Sequence, residues 1–143
     1  MGIVYAEITL KNAFDTLSCK KKLLKKQEIR QTTIQAMVDT GSGTLVINEK
    51  LRRQLGLGIQ GQRMATLAND IKEIVKIADP VEIHWKNRKM TCQPLVVAGS
   101  GEILLGAIPL EDMDLIVDPG KQELTGRHGD EIVSMLKRAQ YFY

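Results

Sequence analysis

The stretch Asp39-Thr40-Gly41-Ser42 constrains this chain more than any other, because of what brackets it. Ile34-Gln35-Ala36-Met37-Val38 leads in and Thr44-Leu45-Val46-Ile47 leads out, so one carboxylate sits on a tight turn between two apolar strands. Gly41 lets the backbone turn sharply and sets no side chain over the carboxylate, while Thr40 and Ser42 place hydroxyls beside it. Such a setting suits acid/base chemistry. Taken alone, the four residues also fit an ordinary Asx or type I turn, so a functional reading needs a second segment that meets them.

The surrounding pattern is one of short strands. Val4, Ala6, Ile8 and Leu10 alternate with Tyr5, Glu7 and Thr9, the period-two signature of a half-buried strand. Lys20, Lys21, Lys22, Lys25 and Lys26 follow, read as a solvated hairpin or short helix; no aromatic residues are interleaved to make a nucleic-acid patch. A strand over 29–38 then feeds the Asp39 turn. Asn48 to Gly56 reads as a short helix behind that turn, with Asn48 as N-cap and Gly56 as the stop. Residues 64–77 are ambiguous: Ile71, Ile74, Val75 and Ala78 fall at helical spacing, but β-branched residues abound and Pro80 follows closely. Val81, Ile83 and Trp85 alternate with Glu82 and His84, and Lys86-Asn87-Arg88 turns into a strand over 90–97, with Trp85 as a core residue. After the Ala98-Gly99-Ser100-Gly101 loop comes the apolar run Ile103-Leu104-Leu105-Gly106-Ala107-Ile108. Asp130 to Ala139 reads as an amphipathic helix, with Ile132, Val133 and Leu136 on its apolar side.

The Asp39 turn and the Leu104-Leu105-Gly106 run, in that order, resemble the retropepsin-like aspartic proteases, and most closely the small stand-alone bacterial members. In that family an Asp-Thr/Ser-Gly turn is completed by a later strand of two hydrophobic residues and a glycine, forming a psi-shaped loop. The likeness extends through the helical piece Ile108 to Met113 and the strand Leu115 to Val117, and covers most of residues 1–120. It implies an all-β fold: a closed barrel with a psi-loop, short helices and a flap hairpin, working as a homodimer. It also resolves the ambiguous stretch as a flap, with two strands joined at Ala68-Asn69-Asp70. The whole of 1–143 is then expected to form a single domain, its core over 1–120 and an extension over 121–143.

Only one Asp-Thr-Gly is present, since Asp118-Pro119-Gly120 has the wrong middle residue and no apolar lead-in. A chain of 143 residues suits one domain, so a second catalytic aspartate has to come from a second copy. By the resemblance, Asp39 is catalytic, and Thr40, Gly41, Ser42, Leu104, Leu105 and Gly106 support it. Gly41, Gly43, Val46, Leu67, Ala68, Asn69, Asp70 and Leu104 are the substrate-binding set. Thr40 would hydrogen-bond across the two-fold axis, Gly41 would offer its carbonyl to the substrate backbone, and Ser42 would donate to the Asp39 carboxylate. Val46 and Leu104 would wall an apolar pocket. Gly43 and the Asn69-Asp70 tip depart from the retroviral pattern, which has an acidic residue at the first position and glycines at the second.

Twenty basic and seventeen acidic residues leave a formal charge of +3, too mild to point to nucleic acid. Cys19 and Cys92 are too few and too isolated for a disulfide framework or metal site. No basic leader precedes an apolar core, and no apolar run reaches membrane-spanning length. The expectation is a cytoplasmic homodimer acting on peptide or protein, without cofactor, membrane or nucleic acid. His84 and His128 read as isolated structural histidines, and no base accompanies Ser42 as a nucleophile. Three functions compete: an aspartic endopeptidase, a non-catalytic domain that binds peptide by strand addition, and a nucleic-acid domain using the lysine stretch. The intact Asp39-Thr40-Gly41 favours the first, because a pure binder has no use for an unpaired buried carboxylate.

Overall fold

The structure, a computed structural model, describes residues 2–67 and 69–136. In chain order the elements are β1 (Tyr5–Asn12), α1 (Ala13–Lys20), a 3-10 turn (Lys26–Glu28), β2 (Gln31–Val38), β3 (Leu45–Asn48) and α2 (Glu49–Gln54). They continue with β4 (Ile59–Thr66), β5 (Lys72–Ala78), β6 (Val81–Trp85), β7 (Arg88–Cys92), β8 (Leu95–Val97), β9 (Leu104–Leu105), α3 (Ala107–Asp112), β10 (Leu115–Asp118) and β11 (Glu123–Gly126). Nine strands form one sheet in the order β4-β5-β8-β3-β9-β2-β1-β6-β7, curled into a half-barrel, and β10 and β11 form a separate hairpin. The fold is mostly β.

Alternation decides which face of each strand turns inward. Ala6, Ile8 and Leu10 of β1 are buried, and the expected outward residues Tyr5 and Glu7 are exposed. β1 lies between β2 (Tyr5 opposite Met37) and β6 (Thr9 opposite His84), antiparallel to both. Leu10, Leu45, Ile47, Leu55, Ile83 and Leu105 are fully buried at the centre of the core, and Trp85 joins them. Burying such side chains contributes roughly 1.5–3 kcal/mol each, which makes this layer the main source of stability.

α1 lies ahead of the lysines, among which the sequence leads one to expect a solvated hairpin or short helix. Asn12 caps it by accepting from the Asp15 backbone N–H at 3.1 Å, and its own amide donates to the Leu55 carbonyl at 2.9 Å. Asp15 is buried and receives Arg30 through Nε at 2.8 Å, Nη2 at 2.9 Å and the backbone N–H at 3.0 Å. Those Arg30 hydrogen bonds hold the Asp15 carboxyl below its ordinary value, against the opposing effect of burial. The same guanidinium packs on Gly56, where a Cβ would collide with it and where φ is +66°.

α2 forms as the sequence leads one to expect: Asn48 accepts from the Leu51 N–H at 2.8 Å, and the chain leaves through Gly56. Glu49 in its first turn is held by Arg52 and Arg53, and the Arg52 hydrogen bonds draw its carboxyl from 4.5 down to about 2. A folded-state pKa below the unfolded one contributes stability above the unfolded value, and that contribution is lost on acidification. For Glu49 the window runs from 4.5 down to about 2. Melting curves across it are expected to show a shallower acid-side fall for Glu49→Gln than for the unsubstituted chain. Superimposable profiles would contradict this.

The expected strand over 90–97 is in fact two strands. Pro94 has no N–H for a ladder, so β7 ends at Cys92 after running back along β6, and β8 crosses to lie parallel to β3. The Lys86-Asn87 turn bends with Lys86 at φ +46°, and Arg88 already belongs to the strand. Arg88 is buried, donating to the Met113 and Asp114 carbonyls at 2.9 and 2.6 Å and also to Gly129, with its guanidinium over the Trp85 ring. Arg88→Met would strip three carbonyls of their donor. We expect a loss of about 2–4 kcal/mol by urea denaturation, and a change near zero would count against this anchor.

β11 was not foreseen, because Leu124 is its one apolar inward residue. It pairs with β10 through Leu115 opposite Gly126, across a turn in which Asp118 accepts from the Gly120 and Lys121 N–H groups. The helix expected over 130–139 is absent from its described part. Residues 130–136 are irregular, with Glu131 in an isolated bridge to His128 and the Val133 N–H donating to the Asp114 carboxylate at 3.0 Å. The remaining three positions of that expectation lie outside the described residues.

Candidate active site

The Asp39 turn is held at the crossing of three strands. β2 brings it in and runs parallel to β9, while β3 leads away antiparallel to β9. The Met37 N–H donates to Ile103 at 2.8 Å and the Asp39 N–H to Leu105 at 3.0 Å, so β9 continues the ladder up to the carboxylate-bearing residue itself. Beyond it, Ala107 and Ile108 donate to the Ser42 and Gly43 carbonyls at 2.8 and 3.0 Å. Asp39, Thr40, Gly41, Ser42, Leu104, Leu105 and Gly106 are thereby one contiguous unit, the psi-shaped crossing.

Gly106 allows this closeness. A Cβ there would lie 2.3 Å from the Thr44 carbonyl oxygen and 2.6 Å from that of Ser42. Leu105 is fully buried and locks the crossing to the core, whereas its neighbour Leu104 faces the other way and is half-buried. Val46 lies opposite Leu104 across the β3–β9 ladder and is also half-buried, so these two side chains share a face.

Within the turn, the Asp39 carboxylate is oriented by two donors. The Gly41 N–H reaches Oδ1 at 3.0 Å and the Ser42 hydroxyl reaches Oδ2 at 3.1 Å. Ser42 N–H closes the turn onto the Asp39 carbonyl at 3.1 Å. Asp39 is half-buried, and Thr40, Gly41 and Gly43 are exposed beside it. A hollow of about 290 Å³ borders Asp39 and Thr40, walled by Ile3, Val4, Met37 and Val117. A half-exposed carboxylate held by two hydrogen bonds can hold a water and accept its proton.

The flap appears as expected: β4 and β5 pair antiparallel from Ile59 opposite Ala78 to Thr66 opposite Lys72. At its tip the Leu67 N–H bonds Ile71, the Asp70 N–H bonds Leu67, and the Asn69 side chain accepts from the Ile71 N–H at 3.2 Å. Asp70 takes φ +62°, a left-handed conformation that Asp and Asn tolerate where glycine would otherwise serve. Leu67, Asn69 and Asp70 are exposed; Ala68 lies outside the described residues.

One supporting contact escaped sequence reading. The Tyr5 hydroxyl donates to Glu102 at 2.5 Å, tying the start of β1 to the residue just before the Ile103-Leu104-Leu105 run. Glu102 raises the Tyr5 pKa through this bond. Nothing in the local pattern of either residue announces a partner 97 positions away. The two histidines are structural, as read: His84 bonds Glu82 at 2.8 Å and His128 bonds the buried Asp114 at 2.7 Å.

A curled sheet with one Asp-Thr-Gly turn in a psi-shaped crossing, together with a β4–β5 hairpin, fits the retropepsin-like aspartic proteases. The chain belongs to the aspartyl protease family, whose model matches residues 26–123. Among solved structures it is similar to the retroviral protease-like domain of Ddi1 from Leishmania major, at 13% identity over 96% of both chains with a TM-score of 0.56, which shows a common fold. A retropepsin-like aspartic protease from Rickettsia conorii aligns at 17% identity over 82% of this chain and 88% of that one, with a TM-score of 0.33. No curated protein sequence matches the chain. Among the described residues no helix is long and apolar enough to cross a membrane.

Proposed function

We propose that the protein is an aspartic endopeptidase whose site is completed by dimerisation, with Asp39 of each protomer facing its counterpart across a two-fold axis. The observation that carries this reading is the pre-set carboxylate: Gly41 N–H and Ser42 Oγ fix both of its oxygens, while Thr40 and Gly41 stay exposed on the rim. A rim left open in one chain fits a surface that a second copy covers.

Peptide hydrolysis needs a nucleophilic water and a proton for the developing oxyanion. Two aspartates a few ångströms apart cannot both ionise cheaply, so one is the general base and the other, protonated, the general acid. The base takes a proton from the bridging water as its oxygen attacks the scissile carbonyl carbon, and the acid protonates the carbonyl oxygen, giving a gem-diol. Collapse breaks the C–N bond as a proton passes to the leaving amine. Thr40 would tie the two turns together, Gly41 would offer its carbonyl to the substrate, and Gly43 would leave its part of the rim clear of side chain. Val46 and Leu104 would flank the cleaved bond, with Leu67, Asn69 and Asp70 closing from the flap.

Dilution tests the shared site. Peptidase activity per subunit is expected to fall in step with the dimer fraction measured by sedimentation over the same concentrations. Constant specific activity where the protein sediments as a monomer would overturn the reading. Saturable peptide binding without turnover by a stable dimer would assign the fold to peptide capture instead.

A further inference from the structure

Away from the Asp39 turn, α1 presents an apolar surface that nothing in the described chain covers. Phe14 is 72% exposed and Leu17 53% exposed. Ala13, Phe14, Leu17 and Lys20, at helical spacing, line a groove of about 660 Å³ whose other wall includes Pro80 and Thr91. At the end of the helix the chain turns through Lys20, Lys21, Lys22, Lys25 and Lys26, with Leu23 78% exposed among them. None of these lysines forms an ion pair among the described residues. The one acid in the turn, Glu28, instead accepts from the Lys25 backbone N–H at 3.0 Å.

We infer that this face is a docking site for an acidic peptide segment of a partner protein, with apolar side chains in the α1 groove and carboxylates over the lysine turn. Charge complementarity selects the occupant: Lys20 at the groove's end leads into the lysine turn, where the cations form no ion pair, so an apolar half followed by an acidic half matches the face. The two acids bordering the groove are already engaged. Asp79 accepts from the Gly58 N–H at 2.7 Å and from Gln60, and Glu82 accepts from Thr16 at 2.7 Å and His84 at 2.8 Å. Both keep their charge, which confines the acidic half of the peptide to the lysine turn, whereas a nucleic acid would bring phosphates against them along its whole length; Phe14 is the one aromatic residue in the groove lining. A bilayer takes protruding side chains rather than filling a concave trough, which favours a peptide over a lipid surface. The site is separate from Asp39, so the inference stands whether or not the chain is a protease.

The test uses full-length protein carrying Asp39→Asn, so that binding is read without cleavage. The probe is a fluorescent peptide with Leu and Phe in one half and Glu and Asp in the other, set against a control with Lys in place of the acids. Saturable binding of the acidic probe is expected, weakened about tenfold or more by Lys20→Glu with Lys25→Glu and again by raised salt. Leu17→Ser at this exposed position is expected to weaken it as well. The inference is overturned if the acidic probe fails to bind, if it binds the lysine variant equally well, or if phosphatidylserine vesicles capture the protein and the peptide does not. It is also overturned if Leu17→Ser dissociates a dimer, since the groove would then hold a second copy.

Discussion

Asp39→Asn is expected to give a folded, dimer-competent protein whose kcat/KM on peptide substrates is lower by about 10³-fold or more. The fold should survive because the substitution is nearly isosteric: the Gly41 N–H keeps its acceptor at Oδ1, and the Ser42 hydroxyl can accept from the new amide where it now donates to Oδ2. Chemistry should not survive, because an amide neither takes the water's proton nor supplies one to the oxyanion. Mixing tests the sharing of the site more sharply than inactivation alone. After subunit exchange between equal amounts of unsubstituted and Asp39→Asn protein, a site needing both aspartates gives about a quarter of the activity of unsubstituted protein at the same total concentration, whereas independent sites give about half. Full activity of pure Asp39→Asn protein would remove Asp39 from the mechanism.

How far the sequence reached depended on the range of the interactions behind each element. β1 was legible because burial alone dictates its alternation, and α2 because Asn48 and Gly56 mark its ends within the same ten residues. The pairing of Leu104 with Met37 and Val46 spans a little under half the chain; it was legible only through the resemblance, since no local rule joins such segments. The flap was settled in the same way, because Ile71, Ile74, Val75 and Ala78 fit a helix face as well as a strand. α1 carries a local signal, since Asn12 followed three residues later by Asp15 is a capping pattern, but the lysines beyond it compete as the place for a short helix. Pro94 likewise stood in plain view as the break between β7 and β8. β11 offered almost nothing, since its place is set by the β10 ladder and by Arg88 reaching the Gly129 carbonyl. The exposure of Thr40 and Gly41 was equally beyond sequence reading, because it depends on which surfaces the rest of the fold leaves uncovered.

Gly106→Ala is expected to be strongly damaging, and Gly43→Ala, on the very segment that Gly106 packs against, nearly silent. At Gly106 the added Cβ would meet the Thr44 carbonyl oxygen at 2.3 Å, the Ser42 carbonyl oxygen at 2.6 Å and the Thr44 nitrogen at 2.7 Å. All three are backbone atoms of the segment leaving the Asp39 turn, so no side chain can rotate away. Relief has to come from separating α3's first turn from that segment, which breaks the hydrogen bonds from Ala107 to Ser42 and from Ile108 to Gly43. Overpacking with the loss of two backbone hydrogen bonds costs about 3 kcal/mol, a large part of the roughly 5–15 kcal/mol that holds a domain of this size together. At Gly43 a Cβ meets nothing within 4 Å, so Gly43→Ala should stay within about 0.5 kcal/mol of the unsubstituted chain. Urea denaturation of the two variants side by side reads the difference. Equal midpoints would mean that the crossing over Asp39 is looser than its close contacts require, and that the carboxylate is not held as rigidly as the proposed chemistry demands.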